Sequence, residues 1–280
     1  MSHIFDFSCS RRYHGPIQAV LLDWAGTTMD FGCIAPAVVF VEVFNRQDVP
    51  ISLEEARIPM GAHKMVHIRQ ITQLDSVRKR WQEAHGRLPD ESDVEAMFKA
   101  FVPLQLACLS EYSDLIPGTL DIIAELRRRD IKIGSTTGYT TEMTAINLAD
   151  GKRQGYKPDS TVSASEMPAG RPYPFMCLQN AINLQVETVA ACVKIDDTVP
   201  GVEEGLNAAM WTIGLAVSGN EVGLSLAGWE ALSDADRAIR RERAYRRMNQ
   251  SGAHYVVDSI ADIMPCIDDI GRRLAAGEKP

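Results

Sequence analysis

The segment Leu21–Asp30, LLDWAGTTMD, decides the fold because it joins a buried strand to a polar turn. The apolar run from Ile17 to Leu22 is typical of a strand covered on both faces, as in a parallel sheet. It ends at one carboxylate, Asp23, and open α/β sheets bind their ligands at the carboxyl ends of such strands. The glycine-containing turn offers backbone N–H groups to an anion. A carboxylate beside an anion is expected if it attacks phosphorus while a metal cation offsets the charge. The competing interpretation is an N-cap for the next helix.

Composition places the chain among ordinary globular proteins. Its 280 residues suffice for one large domain or two smaller ones, and 45% hydrophobic and 24% charged residues are typical of folded domains. The net charge of −8 argues against nucleic acid or an anionic membrane as a general partner. No stretch approaches the about 18 apolar residues of a membrane span, and the N-terminus lacks the apolar segment of a signal peptide. We therefore expect a cytoplasmic protein whose six widely spaced cysteines are reduced.

Predicted strands and helices alternate in the second part of the chain. From about Ile116 onward, short apolar strands ending near Ser135, Ser163, Ile195 and Leu215 are separated by amphipathic helices, and a last strand lies at 255–257. This alternation predicts a parallel sheet with right-handed crossovers. The charged run at 236–247, DRAIRRERAYRR, predicts a solvated helix face.

Residues 34–112 differ from the rest because they show helical apolar spacing and few strand features. We therefore expect an α/β protein whose Rossmann-like core comprises residues 17–33 and 113–280. An all-helical cap, residues 34–112, is expected to be inserted after the first strand, and residues 1–16 form an N-terminal extension. The cap would emerge at the carboxyl edge of the sheet, where closure over Asp23 excludes water.

Polar clusters stand at three other predicted strand ends. Thr137, in GSTTGY, offers a hydroxyl to a phosphate, and Arg171, in AGRPYP, offers a guanidinium fork. Asp196 and Asp197, in KIDDT, are oxygen ligands of the kind that Mg²⁺ prefers. Each cluster alone has an ordinary structural explanation, such as a helix cap, a surface ion pair or a turn. Together with Asp23, and in this order, they favour one site for phosphoryl transfer.

The order of these four motifs resembles the haloacid dehalogenase superfamily of phosphotransferases. Most phosphatases of that superfamily carry a second Asp two residues after the nucleophile as general acid and base, where this chain has Ala25. The cation of their third motif is usually Lys, where this chain has Arg171. With DWAGTT, PMGAHK, GSTTGY and AGRPYP, the chain from about residue 17 to residue 277 is similar to the phosphonoacetaldehyde hydrolase (phosphonatase) family.

The resemblance implies that the helical cap supplies half of the site. Lys64 of PMGAHK matches the lysine that forms a Schiff base with the substrate aldehyde, and Met60 belongs to the same motif. His67 lies three residues further along the predicted helix, on the same face, as a proton shuttle. Lys64 must be neutral to attack, so we expect desolvation and nearby positive charge to lower its pKa to roughly 7.5. Without the resemblance, a solvated helix lysine would be the expected interpretation.

On the core side, the resemblance implies that Asp23 forms an aspartyl phosphate. The implied phosphate- and substrate-binding residues are Ala25, Gly26, Cys33, Thr137, Gly138, Tyr139 and Arg171. The implied Mg²⁺ ligands are Asp23, the Ala25 carbonyl and Asp197.

The pair Asp196-Asp197 departs from the family pattern. Many relatives have Gly-Asp at this strand end and another Asp four residues after the second position, where this chain has Gly201. Two roles for Asp196 are therefore open. It replaces the missing carboxylate at the metal site, one step removed from the ion, or it caps the next helix.

The resemblance thus implies a Mg²⁺-dependent hydrolase that converts phosphonoacetaldehyde to acetaldehyde and phosphate, in 2-aminoethylphosphonate degradation, and that forms a homodimer. One alternative is a capped phosphatase or phosphomutase acting on a small phosphate ester, against which Ala25 and Lys64 argue. The other is a non-catalytic sensor of a phosphate ligand, against which the retention of Asp23, Lys64 and Asp197 argues.

Overall fold

The computed structural model describes residues 12–280, and its centre is a six-stranded parallel sheet. The strands are β1 (Ala19–Leu22), β2 (Lys132–Thr137), β3 (Ser160–Ser163), β4 (Cys192–Asp196), β5 (Trp211–Leu215) and β6 (Tyr255–Val257). Their order across the sheet is β3-β2-β1-β4-β5-β6. The central strand, β1, pairs Leu22 with Ser135 of β2 and Ile195 of β4, so three strand ends meet at one edge. The predicted α/β fold with a parallel sheet is confirmed.

Helices fill the connections. They are α1 (Ile34–Asn45), α2 (Leu53–Arg57), α3 (Lys64–Thr72), α4 (Asp75–His85), α5 (Glu91–Cys108), α6 (Thr119–Arg128), α7 (Thr141–Arg153), α8 (Phe175–Asn183), α9 (Val199–Asn207), α10 (Leu226–Glu230), α11 (Asp234–Asn249) and α12 (Met264–Ala275). A 3-10 turn at Ile260–Asp262 precedes α12, and Pro265 stands in the first turn of α12, where a missing N–H costs nothing.

The sheet is covered on both faces, which explains its continuous apolar runs. All four residues of β1 are fully buried. On one face, the side chains of β1, β4 and β5 pack against those of α6 and α12 around Trp211 and Leu126. On the other face, Leu21 packs with Cys177 of α8 and Met210. This burial leaves the strand ends as the sheet's polar edge.

The helices α1 to α5 follow β1 as one helical insert, residues 34–112. They share a hydrophobic cluster that includes Phe40, Phe44, Trp81 and Phe101, and α5 packs on α1 and α3. Tyr139, from the core, belongs to the same cluster. The insert therefore lies directly on the polar edge. Its division from the core as a separately moving cap stays a prediction.

The predicted N-terminal extension lies mostly outside the described residues. Within them, the Tyr13 hydroxyl donates to the Pro16 carbonyl (2.7 Å). The charged run at 236–247 lies on α11, whose buried residues are Ala244 and Met248. Within residues 12–280, no helix combines the length and the apolar character needed to cross a membrane.

Candidate active site

Three carboxylates meet where β1 and β4 end. Asp23 follows β1, Asp196 ends β4, Asp197 comes next, and one oxygen of each lies within 4.8 Å of the others. The Asp23 N–H donates to the Ile195 carbonyl (3.1 Å), which extends the ladder by one residue and fixes the carboxylates side by side. All three are buried. Asp23 does not cap the next helix, because α1 begins at Ile34, eleven residues further on.

Arg171 crosses beneath this cluster and orients Asp23. Its Nη2 donates to Asp23 Oδ1 (2.6 Å) and to Thr136 Oγ1 (2.8 Å), and its Nε donates to Glu204 Oε2 (3.0 Å). Asp196 Oδ2 lies 3.2 Å from Nη2. Among residues 12–280, no acceptor is hydrogen-bonded to Nη1. The guanidinium is therefore held on two sides and keeps one nitrogen for an incoming anion.

Two further buried charges, which were not predicted from the sequence, complete the ion-pair network around Arg171. Lys194 is fully buried in β4, and its Nζ donates to Asp196 Oδ2 (2.7 Å) and Thr136 Oγ1 (2.8 Å). Glu204, on α9, is also fully buried and lies 3.8 Å from Lys194 Nζ. The contact between Lys194 and Asp196 could have been predicted from their spacing, because residues two apart on a strand face the same side.

The network carries an excess of negative charge. Four buried carboxylates face two buried cations, which leaves two unbalanced negative charges when all are ionised; the residues are Asp23, Asp196, Asp197, Glu204, Arg171 and Lys194. Burial, and then the charges of Asp196 and Asp23, raise the pKa of Asp197 well above its usual range. A divalent cation bound by oxygen ligands would offset this excess, so the donor set fits such an ion.

Asp196 and Asp197 have different partners. Asp196 Oδ1 accepts from the backbone N–H (3.0 Å) and hydroxyl (2.7 Å) of Thr198, and Thr198 is itself the N-cap of α9. Asp196 therefore holds the N-cap residue Thr198 in position and is not itself the N-cap of α9. A Cβ on Gly201 would overlap the Asp196 carboxylate, so this carboxylate fills the space beside position 201. Asp197 accepts from the Thr27 hydroxyl (3.2 Å) and from the Asn220 N–H (2.8 Å).

Gly26 was predicted to bind phosphate or substrate, but its backbone amide is already hydrogen-bonded. Its N–H donates to the Met29 carbonyl (2.7 Å), so this amide does not face an anion. Its φ is +85°, and a Cβ there would overlap the Asp197 carboxylate, so glycine provides room for Asp197. Of the turn's amides, those of Trp24 and Ala25 donate to no acceptor among residues 12–280, and they remain for an oxyanion.

The helical insert places one amine opposite this edge. Lys64 begins α3 and is 4% exposed. Its Nζ lies 4.7 Å from the centre of the Tyr139 ring and 5.7 Å from that of Phe40. Burial lowers the pKa of Lys64 to about 8, and the charge of Arg171 acts in the same direction, against the opposing effects of Cys33 and Asp23.

A small cavity of about 20 Å³ joins the two sides, which is room for about one water molecule. Of the predicted site residues, its lining includes Asp23, Ala25, Cys33, Met60, Lys64, Thr137, Gly138, Tyr139 and Arg171. The insert touches the core closely here: a Cβ on Gly138 would lie 2.9 Å from the Ala62 carbonyl oxygen, and one on Gly61 would overlap Thr198. Gly26, His67, Asp196 and Asp197 lie outside this lining.

Comparison with known proteins agrees with this arrangement. A family model described as haloacid dehalogenase-like hydrolase matches residues 17–209. Phosphonoacetaldehyde hydrolase of Hahella chejuensis is 47% identical over 274 residues, 98% of this chain and 93% of the relative. The enzyme of the same name from Klebsiella pneumoniae is 48% identical over 266 residues, 94% and 99% of the two chains.

The chain belongs to the phosphonoacetaldehyde hydrolase family. It is therefore a hydrolase that acts on a carbon–phosphorus bond. The crystal structure of a phosphonoacetaldehyde hydrolase-like protein from Oleispira antarctica superposes with a TM-score of 0.95 at 43% identity, covering 99% of this chain and 100% of the other.

His67, the predicted proton shuttle, lies one turn further along α3 than Lys64. It is fully buried, its ring stacks on Phe40 with 3.8 Å between centroids, and its Nε2 lies 2.8 Å from the Ala56 carbonyl oxygen. Burial, and then the charge of Lys64, lower the pKa of His67 well below its usual value. The ring is therefore neutral, with Nε2–H as donor and Nδ1 as acceptor, and Nδ1 has no partner among residues 12–280.

Cys33 and Tyr139, two further predicted site residues, stay protonated. Burial raises the pKa of both well above the ordinary values, and neighbouring carboxylates add to the effect. Their contribution to the cavity is a neutral thiol and a neutral phenol beside the Lys64 amine.

Proposed function

We propose that this chain hydrolyses phosphonoacetaldehyde to acetaldehyde and phosphate. One observation carries the proposal: Lys64, a buried amine from the insert, and Asp23, a carboxylate at the sheet edge, line the same small cavity. Cleavage of a P–C bond leaves an electron pair on carbon, and a protonated imine accepts that pair as a neutral enamine. An amine facing a nucleophile suits a substrate with an aldehyde at one end and a phosphonate at the other.

The first step is imine formation at Lys64. With a pKa of about 8, about one tenth of the Lys64 amines are neutral at pH 7, against about one in a few thousand for a free lysine. The neutral Nζ attacks the aldehyde carbon, and the carbonyl oxygen leaves as water. His67 Nδ1, which has no partner among residues 12–280, is the proposed shuttle: it briefly accepts the proton that the attacking amine loses and passes it to the departing oxygen. One further proton from solvent completes the water molecule and leaves the imine protonated.

The second step is attack by Asp23 on phosphorus. A carboxylate oxygen forms the P–O bond of an aspartyl phosphate while the P–C electron pair moves to carbon and gives the enamine. Arg171 Nη1, the Thr137 hydroxyl and the free amides of the turn hold the phosphoryl oxygens. Water then hydrolyses the aspartyl phosphate, and protonation of the enamine carbon followed by imine hydrolysis releases acetaldehyde.

Ala25 fits this route. An enamine leaving group needs no proton at the position where ester phosphatases hold a second aspartate. The cavity lining offers no carboxylate other than Asp23. An ester route would therefore lack a general acid, which supports the phosphonate over a phosphate ester.

We propose Mg²⁺ as the cofactor, held by Asp23, the Ala25 carbonyl and Asp197. When bound, the ion supplies positive charge against the phosphonate and the carboxylates. Asp196 acts on the metal site indirectly, because its oxygens already accept hydrogen bonds from Lys194 and Thr198, and Arg171 Nη2 lies 3.2 Å from its Oδ2.

We further propose that the enzyme acts in the cytoplasm, as a homodimer, in 2-aminoethylphosphonate degradation. All five cysteines among residues 12–280 are free thiols, which supports a reducing compartment. Sedimentation velocity checks the dimer, since a monomer would sediment at about 31 kDa.

Phosphate release with Mg²⁺ present tests the proposed reaction. The wild type should release phosphate from phosphonoacetaldehyde and little from p-nitrophenyl phosphate. Lys64→Met should lose the first activity, whereas Lys99→Met, at an exposed lysine of the same insert, should retain it. Faster ester hydrolysis that survives Lys64→Met would indicate a phosphatase. Phosphate binding without release from either compound would indicate a sensor.

A further inference from the structure

Arg57 ties the helical insert to the core outside the cavity. It ends α2, a short helix whose start is fixed by a capping box between Ser52 and Glu55. Its Nη1 donates to the Gly32 carbonyl (2.8 Å), in the linker between β1 and α1, and its Nη2 donates to the Gly223 carbonyl (3.1 Å), in the loop after β5. One side chain of the insert therefore grips the linker and the core together.

A second pair of hydrogen bonds leads from Arg57 toward the carboxylate cluster. Arg57 Nη1 donates to Asn220 Oδ1 (3.3 Å), and Asn220 Nδ2 donates back to the Arg57 carbonyl (3.4 Å). The backbone N–H of the same Asn220 donates to Asp197 Oδ2 (2.8 Å). Arg57 is thus two hydrogen bonds away from a carboxylate that the proposed mechanism assigns to the metal.

The loop that carries this connection, residues 218–224, is tightly packed against Asp197 and Arg57. A Cβ on Gly219 would overlap Asp197, and one on Gly223, where φ is +65°, would lie 2.7 Å from the Arg57 guanidinium. The linker is held from the same loop, because the Gly32 N–H donates to the Ser218 carbonyl (2.7 Å). A shift of Arg57 is therefore passed to the loop and not absorbed by it.

Arg57 is not itself among the residues that line the cavity, although its Nη1 also donates to the backbone carbonyl of one of them, Cys33 (3.3 Å). It lies instead at the floor of an open groove of about 540 Å³ between α2 and α11. It is also only partly buried, so removing it exposes no empty core. Its hydrogen bonds are made to the linker and to the loop, which are the segments that must rearrange if the insert lifts to admit substrate.

We propose that Arg57 is a positioning residue that couples closure of the insert to the metal site, by holding loop 218–224 so that the Asn220 N–H orients Asp197. The proposal rests on the proposed function only in assigning Asp197 to Mg²⁺. Closure of the insert then completes the metal site at the same moment as it brings Lys64 to the cavity. An open enzyme holds the ion less tightly than a closed one.

Two measurements without substrate test the coupling. Hydrogen–deuterium exchange followed by mass spectrometry reports protection of residues 218–224, and calorimetric titration with Mg²⁺ alone reports metal affinity. We expect Arg57→Met to lose protection in this loop and to raise the Mg²⁺ dissociation constant roughly 10-fold, the lower end of the range for partners of metal ligands. Arg57→Lys, which keeps the charge but not the fork, should fall between. Arg80→Met removes an ion pair with Glu55 on the same insert and should change neither quantity.

A KM-against-kcat comparison adds a readout that a merely structural residue would not move. With phosphonoacetaldehyde, Arg57→Met should raise the Mg²⁺ concentration for half-maximal rate, and saturating Mg²⁺ should restore most of kcat. If Arg57→Met is recovered unfolded, Asn220→Ala serves, because it keeps the backbone N–H and removes the reciprocal contacts with Arg57.

Unchanged protection of residues 218–224 in Arg57→Met and in Asn220→Ala would overturn the proposal. Lost protection of this loop with unchanged Mg²⁺ affinity would overturn it as well. A protein that binds Mg²⁺ with the expected dependence on Arg57 but releases no phosphate from phosphonoacetaldehyde would contradict the proposed function and leave this coupling standing.

Discussion

Two buried lysines lie on opposite sides of the same site, and their environments differ. Lys194, on the core side, is fully buried among charges: Asp196 Oδ2 lies 2.7 Å from its Nζ and Glu204 Oε2 3.8 Å. Lys64, on the insert side, is 4% exposed, lies against the rings of Tyr139 and Phe40, and forms no ion pair within residues 12–280.

Opposite pKa shifts follow from the two environments. Burial alone lowers the pKa of either lysine, but Asp196 and Glu204 overcome it at Lys194, whose pKa is raised. At Lys64 burial prevails, and the pKa falls to about 8. The core thus keeps its lysine charged, and the insert lowers the pKa of its lysine far enough that about one tenth of the amines are neutral at pH 7, as the proposed imine chemistry requires.

The largest expected effect separates the two sides chemically. Asp23→Asn should lose turnover by several orders of magnitude, because an amide does not form the acyl phosphate. The same variant should still form the imine, since Lys64 is unaltered. Rapid quench with labelled substrate checks the first point by showing label on Asp23 of the wild type, and borohydride trapping checks the second. Turnover without label on the protein would mean that water attacks phosphorus directly.

Removing the core lysine should destabilise the fold. Lys194→Met leaves Asp196 and Glu204 buried with one cation fewer, and breaking a buried pair in this way costs about 3–5 kcal/mol. The free energy of unfolding from urea titration measures the loss. Lys152→Met, at an exposed lysine of α7, is the matched control and should change it by less than about 0.5 kcal/mol. An equal change in both variants would show that the buried network contributes nothing specific.

Removing the insert lysine, Lys64, should instead stabilise the fold. A pKa of about 8 in the folded state against 10.5 in the unfolded state means that the unfolded chain binds more protons between these pH values. The stability of the wild type therefore rises with pH across that window. Lys64→Met should stabilise the protein by about 2–3 kcal/mol at pH 7, and the gain should vanish by about pH 10.5.

Urea titrations of Lys64→Met at both pH values measure this gain, with Lys99→Met as the exposed control. A gain that persists at high pH would assign the effect to packing and not to the charge.

A last comparison distinguishes the two adjacent aspartates, and the smaller of its two effects is the one on Asp196. Asp197→Ala should abolish Mg²⁺-dependent activity, whereas Asp196→Asn should weaken Mg²⁺ binding by roughly 10–100-fold, as is usual for groups that orient metal ligands. Titration of activity and of binding against Mg²⁺ for both variants gives the comparison. The reverse ranking would show that Asp196 is the direct ligand.

The sequence predicts the core side of the site better than its supports. Asp23, Thr137 and Asp197 stand at strand ends, and in a parallel sheet the strand ends meet, so periodicity alone brings them together. Lys194 and Glu204 could not be placed in this way, because their partners are set by strand order and by how α9 packs on β4.

The insert was less predictable still. Its helical character follows from apolar spacing, and α1 begins at Ile34, where the insert is expected to begin. The contact of Lys64 with the sheet edge has no pattern in the sequence and rests on the family motif. The hydrogen bonds of Arg57 reach 25 residues back to Gly32 and 163 residues forward to Asn220, distances that no local pattern encodes.

Reductive trapping at Lys64 tests the central claim most directly. The protein is incubated with phosphonoacetaldehyde and cyanoborohydride over a range of pH, and the modified peptide is identified by mass spectrometry. We expect one adduct, on Lys64, whose rate of formation at constant reductant activity rises with pH, is half-maximal near pH 8 and levels off about one pH unit higher, as the amine with a pKa of about 8 becomes neutral. Phosphate release without an adduct on Lys64, or an adduct rate that climbs toward pH 10 as at an exposed lysine, would contradict it.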